Sequence, residues 1–243
     1  MRFVLVHGAF VGGWIWGPLA ERLEDLGHSV KTPDLPGAAD DPTPVEEVTL
    51  DAYASRICEL LDESDDPAIL VGNSMGGIVI TEAAARRPEK VKRLIYVAAF
   101  LPGDGQSLKA LTELPEGADD LVQANVVVSG DPPVGELPDE VHRNANLACS
   151  PEVIAWAVER TGSQAMVPMT EPVSLNDEVE RIPRTYVICE RDTSIPPALQ
   201  RRMVRDREVG DVIELDTDHH PQLSRTGELA AELDRRAREE VPA

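Results

Sequence analysis

Lysine is nearly missing from this chain of 243 residues: it occurs only at Lys31, Lys90, Lys92 and Lys109, and 23 basic side chains face 44 acidic ones. The net charge of −21 leaves no basic footprint to hold a phosphate backbone or an anionic lipid surface, so nucleic acid and membrane are excluded as partners. Such acidity serves solubility in a chain that prefers Arg to Lys; salt adaptation is the other reading. Aromatics make up only 4%, so the core must rest on Val, Ile, Leu and Ala. Cys58, Cys149 and Cys189 are odd in number and have no paired spacing. They provide neither a disulfide framework nor a metal cluster, and Cys58 and Cys189, set in apolar patterns, read as buried reduced thiols. No apolar run approaches the length of a membrane span. The start, "MRFVLVHGAF", breaks its apolar run at His7-Gly8 and is too short for a signal peptide. The expected location is the cytoplasm.

What is present is a regular alternation of apolar runs and helical patterns, in a chain of a length usual for one α/β domain. "RFVLVHG" is β-branched and stopped by glycine, as a buried strand would be. Helical spacing runs from Trp14 through Leu19, Leu23 and Leu26 to Gly27. "SVKTPDLPG" gives a short strand and a loop, and a helix covers about 49–63. "AILVG" is a third strand, feeding a helix from Ser74 to about Arg87. "RLIYVAAF", "RTYVICE" and "DVIELD" complete six strands, and 225–240 form a closing helix whose tail, "RRAREEVPA", is expected to fray. Strands separated by helices imply parallel pairing in a doubly wound sheet. Residues 101–183 break the rhythm, with several prolines, no convincing strand pair and one fair helix in "SPEVIAWAVERTG". So long an insertion reads as a helical cap on a core of 1–100 and 184–243.

The strongest chemical signal is "AILVGNSMGG". Gly72-Asn73-Ser74-Met75-Gly76 matches G-x-S-x-G between an expected strand and an expected helix, the setting of a nucleophile elbow. The turn strains the serine backbone, and the flanking glycines avoid collision with the adjoining elements. Ser74 then stands at a helix N-terminus, where free N–H groups favour developing negative charge. A serine hydroxyl needs a base, and the base needs an orienting carboxylate. In this kind of sheet they follow in the order Ser, acid, His. Glu190, Arg191 and Asp192 come just past one strand, and His219 and His220 just past the next, at the carboxyl edge where ligands gather. Two N–H donors are expected to receive the oxyanion: that of Met75 and, from the "HGAF" loop, that of Ala9, with Gly8 leaving the substrate room.

"FVLVHGAFVGGWIWGPLAERLEDLGHSV", "LVGNSMGG", "AAFLPGDG", "CERDTSIPPALQRRM" and "DHHPQL" together resemble the α/β-hydrolase branch that holds plant methylesterases, plant hydroxynitrile lyases and related bacterial esterases. The resemblance runs from Phe3 to Leu223 and is weakest across the cap. It implies an α/β-hydrolase fold, with a mostly parallel six-stranded sheet flanked by helices and a helical cap. It also implies Asp192, ahead of Ile195-Pro196, as the acid and His219 as the base, completing a triad with Ser74. The implied function is a serine carboxylesterase cleaving small esters, with no cofactor or metal and a homodimer as one possible assembly. The lyases of the branch resemble one another in carrying Thr after the first-strand His and Lys after the catalytic His. Here Gly8 and His220 stand in those places, which favours hydrolysis. Asn73 replaces the usual elbow His or Glu, and this change and His220 are both places where substrate choice can shift.

Gly8, His220, Phe100 and Trp156 are candidate substrate contacts. Met166 and Met169 are candidate pocket lining. His7 reads as a loop stabiliser, His28 as structural, His142 as a surface residue of the cap, and Trp14 and Trp16 as helix packing. The alternatives are a carbon–carbon lyase using the same triad, a narrow biosynthetic tailoring hydrolase, and a ligand receptor with a residual triad.

Overall fold

Residues of the central strands alternate between two apolar faces rather than between core and water. In β1 (Arg2–Val6) Phe3 and Leu5 join one buried cluster, and Val4 and Val6 join the other. Burial on both faces is what parallel strands require when crossover helices cover each side. The chain continues through α1 (Gly17–Asp25), β2 (Ser29–Lys31), α2 (Leu50–Asp62), β3 (Ala68–Ser74), α3 (Gly76–Arg86) and β4 (Val91–Ala99). An insertion follows: α4 (Leu108–Thr112), α5 (Leu121–Asn125), β5 (Val127–Ser129), β6 (Val134–Glu136), α6 (Asp139–Asn144), α7 (Pro151–Val158), β7 (Gln164–Ala165), α8 (Val167–Thr170) and α9 (Asp177–Glu180). The core resumes with β8 (Arg184–Cys189), α10 (Pro197–Asp206), β9 (Asp211–Leu215), α11 (Pro221–Ser224) and α12 (Thr226–Arg238). This computed structural model describes residues 1–239. Residues 240–243, the end of the tail expected to fray, lie outside the described residues.

The six expected strands form one parallel sheet in the order β2-β1-β3-β4-β8-β9. Leu19 and Leu23 of α1 and Leu229 and Leu233 of α12 cover one face. Tyr53 and Ile57 of α2, Ile78 and Val79 of α3, and Leu199 of α10 cover the other. From β1 the chain first winds to one side and then returns to place β3 on the other. The loops after β1 and β3 therefore diverge and leave a crevice, where α/β sheets bind ligands.

The expected boundaries shift slightly. The first helix opens as a 3-10 turn over Gly13–Trp16 before α1, and the helix expected from Ser74 begins at Gly76. The insertion is not purely helical, because β5, β6 and β7 form a small antiparallel sheet. All three residues of β5 are exposed, so no alternation marks it in the sequence. The described part of the tail is helical through Arg238. Arg236 is buried there and pairs with Asp211 at 2.8 Å. Among the described residues no helix is long and apolar enough to cross a membrane.

Candidate active site

β3 ends on Ser74 with φ at +55°, a left-handed conformation that costs a non-glycine residue about 1 kcal/mol or more. The neighbours leave the chain little choice. A Cβ on Gly72 would lie 2.6 Å from the Gly76 carbonyl, and one on Gly76 would lie 2.4 Å from the Val6 carbonyl oxygen. Both contacts are with backbone, which cannot swing aside. The glycines thus let β3, α3 and the end of β1 meet closely enough to force the turn. Gly8 follows the same logic, since a Cβ there would lie 2.7 Å from Ser74 Cβ. A side chain at Gly8 would thus meet Ser74, while the glycine itself lines a chamber that Ser74 shares.

Asp192 lies beyond β8 and His219 beyond β9. Asp192 Oδ2 accepts a hydrogen bond from His219 Nδ1 at 2.7 Å. A carboxylate can only accept, so Nδ1 carries the proton and the neutral ring leaves Nε2 bare. The carboxylate is itself fixed. Its Oδ1 accepts from Ser194 N (2.7 Å) and Ile195 N (3.0 Å), and its Oδ2 also accepts from Gln200 Nε2 (3.0 Å). Burial opposes charging the His219 ring. The Asp192 charge and hydrogen bond outweigh this, with Asp218 and Asp120 adding to them, and hold its pKa above the ordinary 6.5. Glu190 and Arg191 turn away, to Arg201 and Asp216 respectively.

His220 is buried, and its Nδ1 meets Asn146 Oδ1 at 2.9 Å. Burial, followed by its neighbours His219 and His142, pushes its pKa well below 6.5. It is neutral at neutral pH. Asn73, expected to bear on substrate choice, ties the histidine loop to the elbow. It is fully buried, and its Nδ2 donates to Val97 O (2.9 Å) and to His219 O (3.2 Å).

Two chambers open at Ser74. One, lined by Ala9, Ser74, Met75, Phe100, Asp120, Met166, Met169 and others, is mostly apolar. The other brings Ser74 together with Gly8, Ala9, His142, His219 and His220. Among the described residues no hydrogen bond joins Ser74 Oγ to His219, and neither Ala9 N nor Met75 N donates to a protein acceptor. Both chambers are tight, at ≈ 30 and ≈ 50 Å³. An adjoining apolar chamber of ≈ 310 Å³ shares Leu108, Gln123, Val126, Met166 and Met169 with the first. A long substituent could run into that space.

Two expectations need correction. Trp156 lines neither chamber at Ser74; it packs edge-on against Trp14, with the rings 5.1 Å apart, and carries Arg160 over its face. An exposed guanidinium and a second indole hold it at the outer side of the insertion. His142 is not on the surface, because it is buried and lines the histidine chamber beside Phe10. His7, His28 and Trp16 are held by contacts within the core. His7 is buried; its Nε2 accepts from Leu35 N (3.0 Å), so its Nδ1 donates to Gly8 O (2.7 Å). His28 pairs with Asp234 at 2.8 Å, and Trp16 is fully buried in the core. Among the described residues no cluster of His, Cys, Asp or Glu could hold a metal ion.

Sequence reading missed four supporting residues. Gln200 has no motif of its own; its amide clamps Asp192, and its oxygen accepts from Cys189 N (3.1 Å). Gln164 accepts from Phe10 N (3.3 Å) and donates to Tyr53 Oη (2.9 Å), steadying the loop after β1. Asp218 accepts from Ala148 N (2.6 Å), linking the insertion to the histidine loop. Asp120 is the fourth. It sits at the end of the acidic stretch "LPEGADD", where no motif marks it, and it is 2% exposed.

A family model described as "Alpha/beta hydrolase family" matches residues 3–232. Methylesterase 7 of Arabidopsis thaliana is 30% identical, over 96% of this chain and 94% of its own length. An alpha-hydroxynitrile lyase of the same plant is 32% identical, over 94% of this chain and 93% of its own. Among solved structures, a pyrethroid hydrolase from Sphingobium faniae JZ-2 superposes with a TM-score of 0.89 at 25% identity. That superposition covers 98% of this chain and 97% of the hydrolase.

Proposed function

The chain belongs to the alpha/beta hydrolase family, and from that premise we propose that it is a serine carboxylesterase acting on small carboxylic esters. The observation that carries this reading is the 2.7 Å bond from His219 Nδ1 to Asp192 Oδ2, beside a chamber that Ser74 also lines. Ser74 Oγ attacks the ester carbonyl while His219 Nε2 takes its proton. Asp192 holds the required tautomer and steadies the imidazolium that forms. The N–H groups of Ala9 and Met75 receive the oxyanion, each worth about 3 kcal/mol to the transition state. His219 then protonates the leaving alcohol and activates water to release the acid. Because that proton comes from His219, the alcohol leaves through the histidine chamber and the acyl group lies in the apolar one.

Residues 101–183 act as a cap that closes both chambers over a core of 1–100 and 184–243. No step calls for a metal or an organic cofactor. A cytoplasmic location fits three cysteines that all remain free thiols, as reducing compartments keep them. The homology to a hydroxynitrile lyase makes a carbon–carbon lyase the second reading. Lyases of this branch place a lysine where His220 stands. His220 is buried and held neutral, so it supplies no cation for a cyanide leaving group. Ser74→Ala should abolish turnover of a p-nitrophenyl acyl ester while circular dichroism stays unchanged. A variant that remains active overturns the mechanism, and cyanide release from a cyanohydrin without ester turnover would favour the lyase.

A further inference from the structure

Asp120 stands in the wall of the apolar chamber with Ser74, Phe100, Val126 and Met169. It caps the short helix α5, and both cap bonds use one oxygen: Oδ1 accepts from Val122 N (2.7 Å) and Gln123 N (3.0 Å). Among the described residues, Oδ2 accepts from none. A serine would have served as a cap equally well, without placing a second oxygen at a mostly apolar chamber. A carboxyl oxygen facing such a wall is well matched by a hydrogen-bond donor on the ligand.

We propose that Asp120 is a specificity-determining residue for the acyl half of the substrate, and that the acids released carry a hydrogen-bond donor, a hydroxyl or an ammonium, on an otherwise apolar chain. The inference rests on the serine-esterase reading, which assigns this chamber to the acyl group. The surroundings agree with it. Burial raises the Asp120 pKa to about 6; the bonds from Gln123 and Val122 and the charge of His219 pull it down, and Asp192 pushes it up. Asp120 therefore accepts in its ionised form above that pH and can also donate below it. Lys109, on α4, does not line this chamber, so Asp120 has no lysine partner there.

The test is a series of ethyl hexanoates with a hydroxyl walked along the acyl chain, each compared with plain ethyl hexanoate. At one position or more, kcat/KM should exceed that of the plain ester by about tenfold, the scale of one hydrogen bond to a charged group. In Asp120→Asn and in Asp120→Ser, both of which keep a cap, that ratio should fall towards one. Equal ratios throughout the wild-type series, or an advantage that survives both substitutions, overturn the proposal. Binding of the same esters to Ser74→Ala by calorimetry reads the preference without turnover. If no ester is hydrolysed, the esterase reading fails; if no hydroxyl position binds more tightly than ethyl hexanoate, the role of Asp120 fails.

Discussion

At the scale of single residues, the pH dependence of the proposed reaction is set at His219. Only the neutral ring can take the Ser74 proton, so kcat/KM should rise with pH as His219 loses its charge. The midpoint should lie above the ordinary 6.5, because Asp192 outweighs burial there. Asp192→Asn removes that charge and leaves burial opposed only by the weaker influence of Asp218 and Asp120, so the midpoint should move down. It should also cost about 10⁴-fold in kcat, since an amide can hold the wrong tautomer. A pH–rate profile of both proteins decides the matter, and an unmoved midpoint would remove Asp192 from the base. Ser74 was legible because a strand, a glycine-flanked serine and a helix follow one another within a few residues. Asp192 was harder to select, since Glu190 and Arg191 sit at the same strand end. Only the structure shows those two turned to Arg201 and Asp216. The tie made by Asn73 was not legible for a physical reason: one of its partners, the His219 carbonyl, is 146 positions away in the chain.

At the scale of elements, the close approach of β1, β3 and α3 is the feature that positions Ser74. Gly76→Ala puts a Cβ 2.4 Å from the Val6 carbonyl oxygen, and neither backbone can yield without opening the elbow. A loss of about 2 kcal/mol or more is expected, read as a lower urea midpoint. Gly227 in α12 is the internal control, since a Cβ there meets nothing within 4 Å. Gly227→Ala should be neutral or stabilise by about 0.5–1 kcal/mol. Equal effects at the two sites would mean that the elbow tolerates a side chain. The central strands β1, β3, β4 and β8 were legible because their apolar runs are buried on both faces, whereas β2 and β9 are partly exposed edge strands. The small sheet β5–β6–β7 was not, because strands of two or three residues carry too few positions to show a period, and β5 is exposed throughout.

At the scale of the whole molecule, the alternation of strands and helices was enough to anticipate a doubly wound sheet, and with it the edge where Ser74, Asp192 and His219 are found. The shape of the insertion was not anticipated. Its contacts run to distant parts of the chain, as from Ala148 to Asp218 and from Gln164 to Tyr53, and no local periodicity encodes such pairs. The acidic surface has its own consequence: at −21 the molecule repels anionic partners, so a neutral or cationic ester meets it more readily than an anionic one. The central claim is that this fold presents Ser74 as a nucleophile. Incubation with a fluorophosphonate, followed by peptide mass spectrometry, tests it most directly. One phosphonyl group on Ser74, formed in the native protein and absent from Asp192→Asn and His219→Ala on the same timescale, is the predicted result. No adduct, or an adduct on another residue with Ser74 untouched, would contradict it.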